Sequence, residues 1–203
     1  MKGQQASGHE APVDPHDGGA HDAHLDGGSL FRAHARFVAS FLARLGVERP
    51  ELDDAVQEVF LIAHRRGGFV EGEAEPTTWL AAIALRVASG MRRSRRRREN
   101  AHAAVLVPDK TDATPFDSLA AAESLARVQR ALDTLRLEHR AVFILFEIEG
   151  SSCESIAAGM KIPIGTVYSR LHAARRGFQD AYARLGDGAD GAPLSTSARR
   201  ETA

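Results

Sequence analysis

The chain carries a single cysteine, Cys153, in 203 residues, which excludes an intramolecular disulfide and any zinc site built on several thiolates. No run of about 18 apolar residues occurs, so no membrane insertion is expected. The first residues lack the apolar stretch of a signal peptide, and the expected location is the cytoplasm. Aromatic residues make up only 6%, which predicts an aliphatic core. No segment alternates as a strand does, so the expected fold class is all-α. Catalytic signatures are missing too: there is no phosphate-cradling Gly-rich loop ending in Lys-Ser or Lys-Thr, no His-Glu-x-x-His and no Gly-x-Ser-x-Gly. Cys153 and His172 make a conceivable nucleophile and base, but both fall within a helix-turn-helix pattern, where a cysteine usually fills apolar space. The expectation is a protein that is not an enzyme, with no cofactor and no resident metal.

What is present is an uneven charge. The formal net charge is −1, yet the first 28 residues set Lys2 against Glu10, Asp14, Asp17, Asp22 and Asp26, while 91–99 read MRRSRRRRE. Such asymmetry points to a polyanionic partner for one part of the surface. His9, His16, His21 and His24 accompany the aspartates of the tail. Imidazole and carboxylate can hold a transition metal loosely; the alternative is a solvated low-complexity tail.

Residues 1–28 lack periodicity and are expected to be disordered. From Ser29, the residues Leu30, Phe31, His34, Phe37, Val38, Phe41, Leu42 and Leu45 form one helical stripe, closed by Gly46. A second helix is expected from about Pro50 to Arg66, with Leu52, Val56, Val59, Phe60 and Ala63 inside and Asp53, Asp54, Gln57 and Glu58 on its other side. The loop Phe69–Pro76 is acidic through Glu71, Glu73 and Glu75. A third helix, capped by Thr77 or Thr78, places Trp79, Leu80, Ile83, Val87 and Met91 on one side and runs into the arginines. Residues 101–118 form a polar, Pro-containing linker. A second helical unit over 119–185 begins with the stripe Leu125, Val128, Leu132 and Leu135, continues through Val142, Phe143, Leu145 and Phe146, and breaks at Gly150. Gly, Ala, Ser, Thr and Pro return over 186–203, a second disordered tail. The expected architecture is two small helical domains joined by a flexible linker.

The sharpest signal is Ser151–Arg176, SSCESIAAGMKIPIGTVYSRLHAARR. Ser151 and Glu154 stand at capping-box spacing, Ile156, Ala157 and Met160 mark an apolar face, and Pro163 suits the first turn of a following helix. Val167, Leu171, Ala174 and Phe178 then recur at helical spacing. Tyr168, Ser169 and His172 are left to offer hydrogen bonds to base edges, with Arg170, Arg175 and Arg176 for phosphates. The alternative is a helical hairpin with a solvated charged face. Arg92, Arg93, Arg95, Arg96, Arg97 and Arg98 can bind phosphates without sequence choice, unless they are merely a frayed, solvated helix end.

Together these residues resemble the bacterial RNA polymerase sigma factors of the extracytoplasmic-function group. Residues 29–100 are similar to the sigma-2 domain through Asp54-Ala55-Val56-Gln57-Glu58-Val59-Phe60, Thr78-Trp79-Leu80 and the arginine-rich end. Residues 119–185 are similar to sigma-4 through Ile162-Pro163-Ile164-Gly165-Thr166-Val167, Ser169-Arg170-Leu171-His172 and Ala174-Arg175. The resemblance implies two partners, core RNA polymerase (its β′ coiled coil and β flap) and promoter DNA. It assigns polymerase docking to Asp54, Gln57 and Glu58. Capture of the −10 element falls to the loop from Phe69 and to Ala82 and Arg86, with Arg92, Arg93, Arg95 and Arg96 on the nearby backbone. Reading of the −35 element falls to Gly165, Thr166, Tyr168, Ser169, Arg170, His172, Ala173, Arg175 and Arg176. Family members are commonly held by an anti-sigma factor, which is a further partner the resemblance implies.

The chain departs from the family pattern at several positions. Arg86 stands where Asn is frequent, Gly90 where Asp is, and Tyr168 where a basic residue is usual. Lys161 replaces a frequent Gly in the turn, at a cost of about 1 kcal/mol if it adopts positive φ. Leu135-Arg136 replaces a frequent Leu-Pro. Trp79 lies in an apolar stripe and is expected in the core rather than as a stacking platform. Two other classes remain open on the residues: a free-standing helix-turn-helix regulator, which has no need of residues 29–100, and a helical adaptor that binds only proteins.

Overall fold

The computed structural model describes residues 24–72, 74–101 and 117–187. Residues 102–116 of the linker, most of both tails, Glu73 and three of the four tail histidines lie outside the described residues, while 101, 117 and 118, assigned to the linker, are helical. The elements in chain order are β1 (His24–Leu25), α1 (Gly27–Arg44), α2 (Arg49–Arg65), β2 (Phe69–Val70), α3 (Pro76–Ala101), α4 (Asp117–Asp133), α5 (Leu137–Phe143), a π turn (Ile144–Ile148), α6 (Cys153–Met160) and α7 (Ile164–Asp187).

Helix α1 starts earlier than its stripe suggests. Asp26 is the N-cap, its carboxylate accepting from the Ser29 amide at 2.7 Å, and that bond holds the Asp26 carboxyl below its ordinary pKa. The short strand before it belongs to the stretch expected to be disordered. Phe31, placed by periodicity in the stripe, is 49% exposed, while Leu30, Val38, Phe41, Leu42 and Leu45 are buried. Helix α3 is buried on more than one side: besides Leu80 and Ile83, the small residues Ala81, Ala84 and Ala88 are at most 1% exposed. It begins at Pro76 rather than after a threonine cap. Thr78 is fully buried, with its hydroxyl donating to the Glu75 carbonyl.

That extra burial comes from the second unit, and this the sequence does not announce. Helix α6 lies across α3: the Thr78 and Ser155 hydroxyls are 3.2 Å apart, and a Cβ on Gly159 would meet the Thr78 side chain at 2.5 Å. The last carbonyls of α1 accept from α4 and α5, Arg44 O from Gln129 Nε2 at 3.4 Å and Leu45 O from Arg140 Nη1 at 3.1 Å. Arg44 also pairs with Glu149 at 2.8 Å. A single apolar cluster therefore runs from Leu30 to Ala174 through both units. Orphan helix-end carbonyls of one unit are satisfied by side chains of the other.

Within the second unit, α5 widens into the π turn, where Glu149 N bonds Ile144 O and Ser151 N bonds Leu145 O. Gly150, at φ +73, ends it. Leu125, read as the head of a buried stripe, is 70% exposed. Arg127 clasps the far end of α7, its guanidinium 4.0 Å over the Tyr182 ring and donating to the Tyr182 carbonyl at 2.9 Å.

Candidate nucleic-acid interface

The helix-turn-helix is built as its pattern predicts, with one shift. The cap of α6 is Ser152, whose hydroxyl accepts from the Ser155 amide at 3.1 Å; Ser151, expected in that role, is buried. Two consecutive serines offered the hydroxyl, and the one left in extended backbone outside the core makes the bond. Lys161 closes α6 in the left-handed conformation, φ 54 and ψ 50. Pro163 precedes α7, its carbonyl accepting from Thr166 N at 2.8 Å. Replacing Lys161 with Gly relieves the left-handed penalty but loosens the unfolded chain, so Lys161→Gly is expected to stabilise by up to about 1 kcal/mol. A rise in thermal midpoint is the check.

Helix α7 divides cleanly. Val167, Leu171, Ala174 and Ala181 are buried, while Tyr168 is 52% exposed and Gly165, Ser169, His172, Ala173, Arg175 and Arg176 are exposed, with Thr166 and Arg170 half-buried. Arg175 is already engaged: its Nε donates to Glu147 on the π turn at 2.6 Å, and its guanidinium lies 5.2 Å over the Phe146 ring. These contacts join α7 to the π turn. Cys153 is buried, which pushes its thiol pKa up. That is the opposite of an activated nucleophile.

On the first unit, β2 and α3 line a cleft of about 640 Å³. Its cations are Arg66, Arg86 and Lys161, its rings Phe69 and Trp79, and Ala82 also lines it. Residues Ala158, Gly159 and Lys161 of the α6 end form the facing wall. Phe69, assigned to base contact, is only 5% exposed, with its ring edge-on to Trp79 at 5.7 Å. It enters the cleft as a core residue, and the apolar side chain offered to solvent there is Val70, 57% exposed. Trp79 is half-buried and packs against the core, as its stripe predicts.

The arginine end of α3 is partly tied down. Arg95 pairs with Glu48 and, at 2.6 Å, with Glu51, both at the start of α2, and Arg98 reaches Glu51 at 3.5 Å. Arg93 donates to Ser89 at 2.6 Å. Arg92, Arg96 and Arg97 are exposed. The expectation that Arg95 lies on a nucleic-acid backbone therefore meets a competing intramolecular role.

A third surface lies on the outer side of α1 and α2. Asp54, Gln57 and Glu58 are exposed on α2. Asp54 and Gln57 border a groove of about 580 Å³ with Phe31, Val56, Leu61 and His64. The rings of Phe31 and Phe60 meet edge-on at 5.1 Å, and Leu61 is 42% exposed. Phe31 and Leu61 are absent from the sequence-based site; the signal for Leu61 was an apolar residue one turn on from the exposed Gln57. Among the described residues no group of His, Cys, Asp and Glu is placed to hold a metal, and no helix is long and apolar enough to cross a membrane.

Comparison with known proteins gives the same division. A family model described as Sigma-70 region 2 matches residues 30–98, and one described as Sigma-70, region 4 matches residues 125–176. The chain is 35% identical over 147 residues to the ECF RNA polymerase sigma factor SigM of Mycobacterium tuberculosis, covering 72% of this chain and 71% of the relative. It is 32% identical over 177 residues to the RNA polymerase sigma factor CarQ of Myxococcus xanthus, covering 83% and 92%. The fold is shared with the sigma factor RpoE of Bartonella quintana, solved with the anti-sigma factor NepR, at TM-score 0.60 and 23% identity over 75% of this chain and 94% of that one. It is shared also with CnrH, solved with the cytosolic domain of CnrY, at TM-score 0.56 and 24% identity over 78% and 88%. With both regions matched in order, and with relatives of this identity aligned along most of their length, the chain belongs to the extracytoplasmic-function group of RNA polymerase sigma factors.

Proposed function

We propose that this sigma factor divides its work among the three surfaces described above. The groove of Phe31, Asp54, Gln57 and Leu61, with Glu58 beside it, docks on the β′ coiled coil of core RNA polymerase. The second unit meets the β flap. The cleft between β2 and α3 accepts unstacked bases of the −10 element: Val70 and the half-buried Trp79 supply an apolar wall backed by Phe69, and Arg66, Arg86 and Lys161 supply charge for the adjoining phosphates. Arg92, Arg93 and Arg96 hold the neighbouring backbone. The exposed face of α7 enters the major groove at −35. Tyr168, Ser169 and His172 read base edges, Arg170 and Arg176 contact phosphates, and Gly165, Thr166 and Ala173 allow close approach.

The observation that carries this reading is α7 itself. One face is buried through Val167, Leu171 and Ala174, while the opposite face presents a Tyr, a Ser, a His and an Arg that no element among the described residues covers. A helical adaptor does not need that combination. The groove on α1 and α2 separates the sigma reading from a free-standing regulator, because it is an apolar and acidic surface with no use on DNA. In this reading the three surfaces only bind, and the chemistry is left to the polymerase. The site of action is the cytoplasm, where that enzyme works. One solved neighbour is held with the anti-sigma factor NepR and the other with the cytosolic domain of CnrY, which supports a bound regulatory partner here.

Core pull-down combined with in vitro transcription on a promoter library tests the division. Tyr168→Ala and His172→Ala are expected to change −35 preference and leave core binding intact. Phe31→Ser with Leu61→Ser is expected to weaken core binding about tenfold or more, since docking covers the exposed half of each side chain, together worth about 1.5–3 kcal/mol. Unchanged selectivity in the first pair, or unchanged core affinity in the second, sinks the corresponding assignment.

A further inference from the structure

Strand β1 lies against the loop that borders the −10 cleft, although it precedes that unit's first helix in sequence. It pairs antiparallel with β2, His24 opposite Val70 and Leu25 opposite Phe69. The His24 ring nitrogen Nε2 meets the Gly67 carbonyl. A carbonyl only accepts, so Nε2 carries the proton in this contact. Gly68 shows how closely the segment is fitted. A Cβ there would stand 2.4 Å from the Leu25 carbonyl oxygen and 3.1 Å from His24 Nε2. The strand can cross this point because residue 68 has no side chain.

Gly67 and Gly68 both have positive φ, +83 and +88. They join α2 to β2 through the least restricted dipeptide the chain can use. Phe69 is seated by its burial against Trp79, but such a hinge, left alone, does not fix the backbone of Gly67, Gly68 and Val70 beside it. The strand supplies what the hinge lacks. It is itself fixed at its other end, one residue before the Asp26 cap of α1, and Leu25 packs partly buried on the core. Gly68, Phe69 and Val70 all line the cleft, so the position of β1 is transmitted directly to the cleft wall. Edge pairing of two residues is also weak enough to be removed by single substitutions.

We propose that His24–Leu25 is a positioning element for −10 recognition: as strand β1 it fixes the Gly67–Val70 loop so that the cleft keeps one shape for the bases it takes. This deepens the promoter reading above and rests on it. His24 and Leu25 act through the loop and need not touch DNA.

The test uses the full chain with core polymerase and a promoter library randomised at −10 and, separately, at −35. Three variants are compared with the wild type. His24→Leu removes the donor to Gly67, His24→Gln keeps an N–H at a similar reach, and Gly68→Ala places a methyl against the Leu25 carbonyl. His24→Leu and Gly68→Ala are expected to flatten base enrichment at −10 by about tenfold, the scale of one or two lost hydrogen bonds. Enrichment at −35 and core affinity are expected to stay unchanged, and His24→Gln to restore the −10 profile.

An unchanged −10 profile in His24→Leu and Gly68→Ala overturns the proposal. So does a parallel loss of −10 selectivity, −35 selectivity and core binding, which is what a purely structural role predicts. A wild type with no −10 preference at all, yet with core binding and −35 enrichment, instead overturns the assignment of the cleft.

Discussion

Asp133→Ala is expected to destabilise the protein by about 2–3 kcal/mol, whereas removing its buried partner altogether is expected to cost about 1 kcal/mol or less. Arg140 is fully buried, and Asp133, half-exposed, is its anion at 2.7 Å. Its Nη1 also donates to the Leu45 carbonyl, but Nε and Nη2 have no hydrogen-bond partner. Burial pulls the guanidinium pKa down, with Asp133 opposing that shift. Taking away the carboxylate leaves a buried cation with one carbonyl for company, which is the costly half of breaking an ion pair. The exposure of Asp133 puts the expected cost below that of a fully buried pair. Arg140→Met keeps the volume and removes the unsatisfied donors. Its remaining cost is one orphan carbonyl at the end of α1. Urea unfolding of Asp133→Ala, Arg140→Met and the double variant checks this; the double variant should recover most of the loss. If Arg140→Met is as damaging as Asp133→Ala, the pair is a net stabiliser and the reading is wrong.

Gly159→Val is expected to part the two units. The side chain would point into Thr78, where even a Cβ falls 2.5 Å from the hydroxyl and 2.7 Å from the backbone carbonyl carbon. Backbone cannot yield as a flexible side chain can, so the overlap is relieved by moving α6 away from α3. Gly159→Ala is the milder form. There the helix gains about 1 kcal/mol of propensity while the interface loses about 1–3 kcal/mol to overpacking. The helix-turn-helix unit is therefore expected to stay folded while its contact with α3 fails. Distance measurement between labels on α2 and α7 is the readout. A lengthened, broadened distribution is expected for Gly159→Val with helix content retained, and an unchanged distribution would refute the expected parting.

Much of the fold is legible in the sequence because the stripes of α2 and α7 each bury one face against their own unit. The failures share a cause: periodicity reports a face, but not what covers it. Phe31 and Leu125 belong to their stripes and are nonetheless exposed. Conversely, Ala81, Ala84 and Ala88 belong to no stripe and yet line a buried helix contact. The antiparallel pair of His24–Leu25 with Phe69–Val70 is too short to show a period of two.

The candidate site was legible where residues lie on one helix, as from Gly165 to Arg176, and illegible where partners are far apart in sequence. Nothing local says that Arg175 is held by Glu147 or Arg95 by Glu48 and Glu51. Those glutamates give two expected phosphate ligands a competing partner within the chain.

The π turn at Ile144–Ile148 is a place where the chain has length to spare. A π turn holds one more residue than the α-turn it replaces, so the surplus is taken up locally and the helix on either side keeps its phase. A single deletion here lets the turn close as ordinary helix with α6 still aimed at α3. The same deletion within the regular helix of α7 has no surplus to draw on and turns every residue beyond it by about 100°. Insertions and deletions are therefore tolerable at Ile144–Ile148 and ruinous along Gly165–Arg176.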